Sequence, residues 1–426
     1  MMLTSLDLRG RGLEVEGLLP APSAPGRDVA GVVAGIIEDV RLHGDEALRR
    51  LTETFDGVRL AEIRLDPSEG ARALSRLAPE VMRALTMAWE RIVAYHAQEG
   101  TPPEAFEADG IRIAHREVAV ERAGCYAPGG RARYPSSVLM CAAPARVAGV
   151  RELALCVPPA RDGKIDDATL AAAAVAGIEE IYPLGGAQAI AAMALGTASV
   201  PRVDVIVGPG NAYVAEAKRQ LSGIVGVASA FAGPSEIAVI ADKTTPCRLA
   251  AIDLMVQAEH GPDGMAWLIT WDETVAKGVD EALVGLVAAS SRRDDLEATL
   301  GSNGVSCLVD SPEAAMAVAN AIAPEHLELL VHDYEPLVSL VRAAGAVFCG
   351  LDAPASLGDY AAGPNHILPT NRSARFSSAL RADDFRRHIH VVEVTRQGFE
   401  SLADTVETLA TVEGLASHAE SIRMRR

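Results

Sequence analysis

A chain of 426 residues, 49% hydrophobic and 23% charged, has material for a large core and more than one domain. Its 39 Lys and Arg against 57 Asp and Glu leave a net charge of -18, which argues against a phosphate-backbone partner, because neutralising DNA or RNA needs clustered cations. The first twenty residues lack a basic segment followed by an apolar core, and no stretch approaches the ~18 apolar residues of a membrane span, so a cytoplasmic protein is expected.

In chain order, Pro20, Pro22 and Pro25 mark residues 1–26 as an arm lying on another part of the protein. Apolar residues at helical spacing predict one helix over 29–55 and another over 79–98, with a short strand at 58–65 between them. A strand over 111–120 leads to Cys125-Tyr126-Ala127-Pro128-Gly129-Gly130, read as a turn able to approach a ligand. Pro135-Ser136-Ser137 then opens a helix whose first amides could hold a phosphate.

From 153 onward strands and helices alternate, which predicts a parallel sheet covered by helices. The loops Gly185-Gly186-Ala187-Gln188 and Gly208-Pro209-Gly210-Asn211 follow strands, where open α/β sheets hold ligands, although Gly there is also ordinary turn chemistry. A second alternating series starts at 237. The expected fold is α/β: two incomplete Rossmann-like βα domains with parallel sheets, one of 27–128 plus 235–380 and one of 129–234, with the arm at 1–26 and a C-terminal appendage at 381–426.

The six cysteines have no CxxC spacing and read as reduced and structural. Chemistry-bearing side chains gather at segment ends. Gln257 and His260, at i and i+3, share one helix face, though a solvent-facing polar pair would look the same. With Asp359 and His418 they offer two imidazoles and two oxygen donors, which suits zinc or another divalent ion with room left for substrate. Glu325-His326 looks like an acid/base pair: imidazole can take a proton from an alcohol near neutral pH, and the carboxylate can activate water. A helix-to-strand junction with exposed polar residues is its plain alternative.

With these residues assembled, the chain resembles the histidinol dehydrogenases. The resemblance is carried by Tyr126 to Gly130 with Tyr134 to Ser137, the two glycine loops, Ala232 to Glu236, Gln257 to His260, Glu325-His326-Leu327-Glu328, Gly358-Asp359-Tyr360, Asn365 to Thr370, and Glu413-Gly414-Leu415 with His418. It implies an NAD-dependent, four-electron oxidation of L-histidinol through the aldehyde to L-histidine. It further implies that Gln257, His260, Asp359 and His418 bind zinc and touch substrate, and that Glu325 and His326 form the acid/base pair, His326 also contacting substrate. Ser235, His366 and Glu413 would contact substrate, and Tyr126, Gln188 and Asn211 would line the NAD site.

The resembled family is dimeric with an exchanged C-terminal segment, so a homodimer is expected. Without GxGxxG the pyrophosphate is not held in the usual dinucleotide manner, so modest NAD affinity is expected. Two departures, Ala228-Ser229-Ala230-Phe231 and Gly261 where the family often has an Asp, touch hydrogen bonds around the ligands and not the ligands themselves. Open alternatives are a related dehydrogenase of another primary alcohol and a metal-dependent hydrolase. An anionic substrate would call for Lys or Arg in place of Glu413 or His366.

Overall fold

The computed structural model describes residues 2–20, 29–100, 105–129, 133–228, 235–259 and 264–426. Its larger sheet has six parallel strands in the order Thr4–Asp7, Gly304–Leu308, Met265–Thr270, Glu236–Ala241, His326–Leu330, Ala346–Cys349. Every residue of Glu236–Ala241 is buried, as a strand covered on both faces requires, and its side chains alternate between two cores. Ile237 and Val239 pack with Ala250, Ala251 and Leu254 of the helix Cys247–Ala258, while Ala238 and Ile240 pack with Ala315, Val318 and Ala319 of the helix Pro312–Ile322. Truncating Leu268, fully buried among the first group, should cost about 2–5 kcal/mol.

The smaller sheet has five parallel strands in the order Glu180–Tyr182, Glu152–Cys156, Arg122–Tyr126, Val205–Val207, Gly226–Val227. Helices Pro135–Ala148 and Asp167–Val175 cover one face, and Gly186–Leu195 and Ala212–Leu221 the other. A third, antiparallel sheet pairs Arg386–Val394 with Ile111–Ala119 and that strand with Phe106–Ala108. The chain then ends in helices Arg396–Val412 and Ala416–Arg423, which pack on one another.

Packing divides the chain differently from the expected boundaries. Helices over 29–96 pack on the smaller sheet, with Val33, Ile37 and Leu48 in one of its cores and Ala73, Leu85 and Ile92 in the other, and Arg122–Tyr126 is that sheet's middle strand. Residues 27–128 therefore do not join 235–380. The expected arm is part of the larger unit: Thr4–Asp7 is its edge strand, and Leu3, Leu8, Val15 and Leu19 are buried. The single helix expected over 29–55 is two, Val29–His43 and Asp45–Asp56, broken at Gly44, whose positive φ of 50° suits glycine. Residues 58–65 form no strand and bend at Ala61, Ile63 and Arg64; Val58, Leu60 and Ile63 are buried, and the Leu65 amide donates to the Ile181 carbonyl at 2.9 Å.

Candidate active site

The chemistry-bearing residues lie at opposite edges of the two sheets. Helix Pro312–Ile322 ends at Ala323 in a left-handed conformation, and Pro324 and Glu325 carry the chain into His326, first residue of its strand. This is the amino edge of the larger sheet. Helix Cys247–Ala258, returning from the carboxyl end of the central strand, brings Gln257 back to the same edge.

The start of the central strand fastens the pair. The Glu236 amide donates to Glu325 Oε2 at 3.0 Å, and His326 Nδ1–H points at the Glu236 carbonyl at 3.4 Å. Glu325 and His326 are 8% and 2% exposed, so this is no solvent-facing junction. Burial pushes the Glu325 carboxyl up to about 7, partly opposed by the neighbouring imidazole. Burial alone would lower His326, but Glu325 and Asp359 together outweigh it and raise the ring to about 9. Glu236, buried beside Glu325, is pushed up to about 8 by burial first and by that neighbour second.

Asp359 joins the other residues. It lies on the short helix Ala355–Tyr360, with Oδ1 3.2 Å from His326 Nε2 and Oδ2 accepting from Gln257 Nε2 at 3.4 Å. Its main-chain carbonyl accepts from His366 Nδ1 at 2.7 Å. That bond fixes the proton on Nδ1, so Nε2 of a neutral His366 accepts from the Ser137 hydroxyl 3.2 Å away. The Phe348 ring stacks on His326 with centroids 5.9 Å apart and 20° between planes.

At the carboxyl edge of the smaller sheet, Tyr126 holds one glycine loop and abuts the other. Its hydroxyl accepts from the Gly186 amide at 3.1 Å, beside the buried Gln188. Gly208 lies so close to Tyr126 that an added Cβ would stand 2.0 Å from the Tyr126 carbonyl oxygen. Asn211 caps the helix Ala212–Leu221, its Oδ1 accepting from Tyr213 and Val214 amides at 3.0 and 3.1 Å. Under this loop the fully buried Lys218 donates to the Gly208 carbonyl, its pKa lowered by desolvation to about 8.

Six sequence-chosen residues thus sit in one network or beside it: Gln257, Glu325, His326, Asp359 and His366, with Ser235 just before Glu236. Ser235 passes its carbonyl to the Met265 amide at 3.0 Å. His260 and Gly261 lie outside the described residues, as do Gly130 and residues 229–234. Glu413 and His418 are exposed on the C-terminal helix pair, and no hydrogen bond or ion pair among the described residues ties them to Gln257 or Asp359.

Gln257 and Asp359 suit a divalent ion by their chemistry, being convergent, shielded amide and carboxylate groups with an imidazole behind them. Sequence reasoning missed Ser137 as a site residue, reading its hydroxyl as helix-start chemistry. It also missed Phe348, Lys218 and Asp253. Glu328 entered only within a matching segment, although a carboxylate inside an otherwise apolar strand, two residues from His326 and so on the same face, is a visible signal.

Comparison with known proteins agrees over the whole length. The sequence profile for histidinol dehydrogenase matches residues 21–426. Histidinol dehydrogenase from a Synechococcus species is 46% identical over 399 residues, covering 92% of this chain and 91% of that protein. The enzyme from Bordetella parapertussis is 43% identical over 430 residues, covering 100% and 97%. The crystal structure of histidinol dehydrogenase from Elizabethkingia anophelis superposes with a TM-score of 0.94 at 34% identity, covering 100% of this chain and 98% of that one. With a buried glutamate–histidine pair built into the sheet edge and this agreement over its full length, the chain belongs to the histidinol dehydrogenase family and is an oxidoreductase of the last step of histidine biosynthesis.

Proposed function

We propose that this chain oxidises L-histidinol to L-histidine at the amino edge of its larger sheet, with Glu325 and His326 as the proton-handling pair. The observation that carries the assignment is the double tie to Glu236, amide to Glu325 and carbonyl to His326, which holds both groups in place before substrate arrives. In its neutral form, which its raised proton affinity moves into the alkaline range, His326 takes the alcohol proton through Nε2, the nitrogen facing Asp359, while Nδ1–H stays on the Glu236 carbonyl. Glu325, close to neutral in its proton affinity, accepts a proton from the water that adds to the aldehyde. As the water adds, His326 returns its proton to the aldehyde oxygen, and so freed it then takes the hydroxyl proton of the hydrate.

The family uses NAD and zinc. When bound, NAD would supply the hydride acceptor, two molecules in succession taking one hydride each, the first from the alcohol and the second from the hydrate. Tyr126, Gln188 and Asn211, set around two glycine loops at a carboxyl sheet edge, are the residues to line its site. Gln257 and Asp359, with His260 and His418, would hold zinc, one per subunit, and the ion would serve to position the substrate. Ser235, His366 and Glu413 complete the recognition of a cationic substrate.

Glu413 and His418 reach a site through a homodimer, each tail serving the partner. Exposed apolar side chains on the C-terminal unit support this reading: Val392, Leu409 and Val412 are 58%, 57% and 80% exposed. No helix among the described residues is long and apolar enough to cross a membrane. Six free cysteines, four of them buried, support residence in the reducing cytoplasm.

The deciding experiment is an assay of purified protein with zinc, NAD and L-histidinol, followed at the nicotinamide absorbance. Two NADH per histidine are expected. Folded, zinc-loaded protein that forms no NADH would overturn the proposal.

A further inference from the structure

Beneath the network lies a second carboxyl layer. Glu328 is fully buried on the strand that starts at His326, and its Oε1 accepts from the Ala355 amide at 2.6 Å. Ala355 opens the helix that carries Asp359, and the residue before it, Pro354, makes no side-chain cap. Glu328 therefore supplies from a neighbouring strand the cap that the helix lacks. Its Oε2 is buried without a partner of sound hydrogen-bond geometry, and the carboxyl of Asp253 lies against it. Asp253 is one turn before Gln257 on the same helix. Burial raises the proton affinity of both carboxyls, so one shared proton relieves their repulsion.

A second contact holds the same helix. A Cβ on Gly358 would stand 2.5 Å from the Phe348 ring, the ring that stacks on His326, and Phe348 is the register partner of Glu328 on the adjacent strand. The helix is thus pinned at its first residue by Glu328 and at Gly358 by Phe348. What these pins set is the stance of Asp359.

We propose that Glu328 is a positioning residue for Asp359: capping the helix Ala355–Tyr360 from the neighbouring strand, it holds the Asp359 carboxylate where it meets Gln257 and His326. The inference rests on the reading above that Asp359 and Gln257 hold zinc. Losing a hydrogen bond that orients a ligand typically weakens metal binding about 10- to 100-fold.

The test is zinc affinity of the full-length protein, stripped with a chelator and titrated back against a chromophoric competitor, beside thermal unfolding and zinc-dependent activity. Glu328→Leu removes the cap and should weaken zinc by about tenfold or more, whereas Glu328→Gln keeps an acceptor for the Ala355 amide and a donor for Asp253, and should bind within a few-fold of wild type. Ala355→Pro breaks the same contact from the helix side: it removes the amide proton, and the ring carbon that replaces it turns the Glu328 carboxylate away. Pro354 already has φ -68° and ψ 152°, the extended conformation a following proline demands, and the first helical position tolerates proline, so the main chain accepts the substitution without strain, and thermal unfolding checks that the variant is folded. It should show the same loss of affinity, and its activity should recover at saturating zinc, which a general loss of stability would not do.

Native zinc affinity in Ala355→Pro, or Glu328→Gln as weak as Glu328→Leu, would overturn the inference. Asp359→Ala separates the two readings. If it binds zinc like wild type, the zinc assignment itself fails; if it loses zinc while Ala355→Pro does not, only the role of Glu328 falls.

Discussion

Ser137 and His366 meet at 3.2 Å although one opens a helix of the smaller-sheet unit and the other follows the last strand of the larger sheet. Asn365 fastens the same seam, donating to the Met140 carbonyl at 2.7 Å. The seam places the carboxyl edge of one sheet beside the amino edge of the other. A cofactor on the first and a substrate on the second can therefore face each other.

Ser137→Ala should remove a bond that orients His366 and leave the 2.7 Å bond to the Asp359 carbonyl. A neutral hydrogen bond is worth about 0.5–1.5 kcal/mol, so the KM for L-histidinol should rise roughly two- to tenfold with a smaller change in kcat. Steady-state kinetics with saturating NAD checks this. An unchanged KM would mean that His366 is placed without Ser137.

His326, proposed as a base, and Gln257, proposed as a zinc ligand, meet the same Asp359 carboxylate and should fail differently. His326→Ala should retain zinc and lose about 10²- to 10⁴-fold in kcat, the usual worth of a positioned general base. Gln257→Ala should lose zinc affinity first and activity with it. Metal analysis after gel filtration decides; zinc lost from His326→Ala and kept by Gln257→Ala would invert the assignment.

The parts of the fold that were legible were those where one physical demand rules the residue type. Strands buried on both faces read as apolar runs, as at Glu236–Ala241 and Met265–Thr270. Arg122–Tyr126 was misread as the approach to a turn because Arg122 and Gly124 interrupt its run. Their reasons are tertiary: Arg122 binds Glu152 and Glu180 across the strand ends, and a Cβ at Gly124 would stand 2.6 Å from the Met193 sulfur. Glu325-His326 was legible from its residue types as one of two readings, and its burial removes the reading of an exposed junction. The hold that Glu236 exerts on the pair was not legible, because the main chain acts there and leaves no trace in side-chain identity.

Glu236 gives a pH-dependent expectation. Its folded pKa of about 8 lies above the unfolded value, so the folded state binds the extra proton; its contribution is full below about 4.5 and is lost as pH rises through 8. Glu236→Gln keeps an acceptor for the Asn371 amide, bound at 3.1 Å, and cannot ionise. Relative to wild type it should gain stability as pH rises from about 5 to about 8, by at most about 1.4 kcal/mol for each pH step of about one. Urea unfolding at the two pH values measures the gain. A constant difference between them would show that Glu236 ionises in the folded protein as it does in the unfolded chain.

The exchanged tail can be tested without a structure of the dimer. Glu413 and His418 lie on the C-terminal helix pair, exposed and unconnected to Gln257 by any hydrogen bond among the described residues. In the exchanged arrangement, a subunit with His418→Ala and a subunit with Gln257→Ala together form one intact site, using the tail of the second chain and the core of the first. With random pairing half of the dimers are mixed and each has one whole site of two, so about a quarter of all sites should be active. If each tail instead folds onto its own core, every site in the mixture still lacks a ligand. Light scattering and subunit-specific tags establish that mixed dimers form, and the assay then reads their activity. Mixed dimers as inactive as both parents would rule the exchange out, and about a quarter of wild-type activity would place His418 in the partner's site.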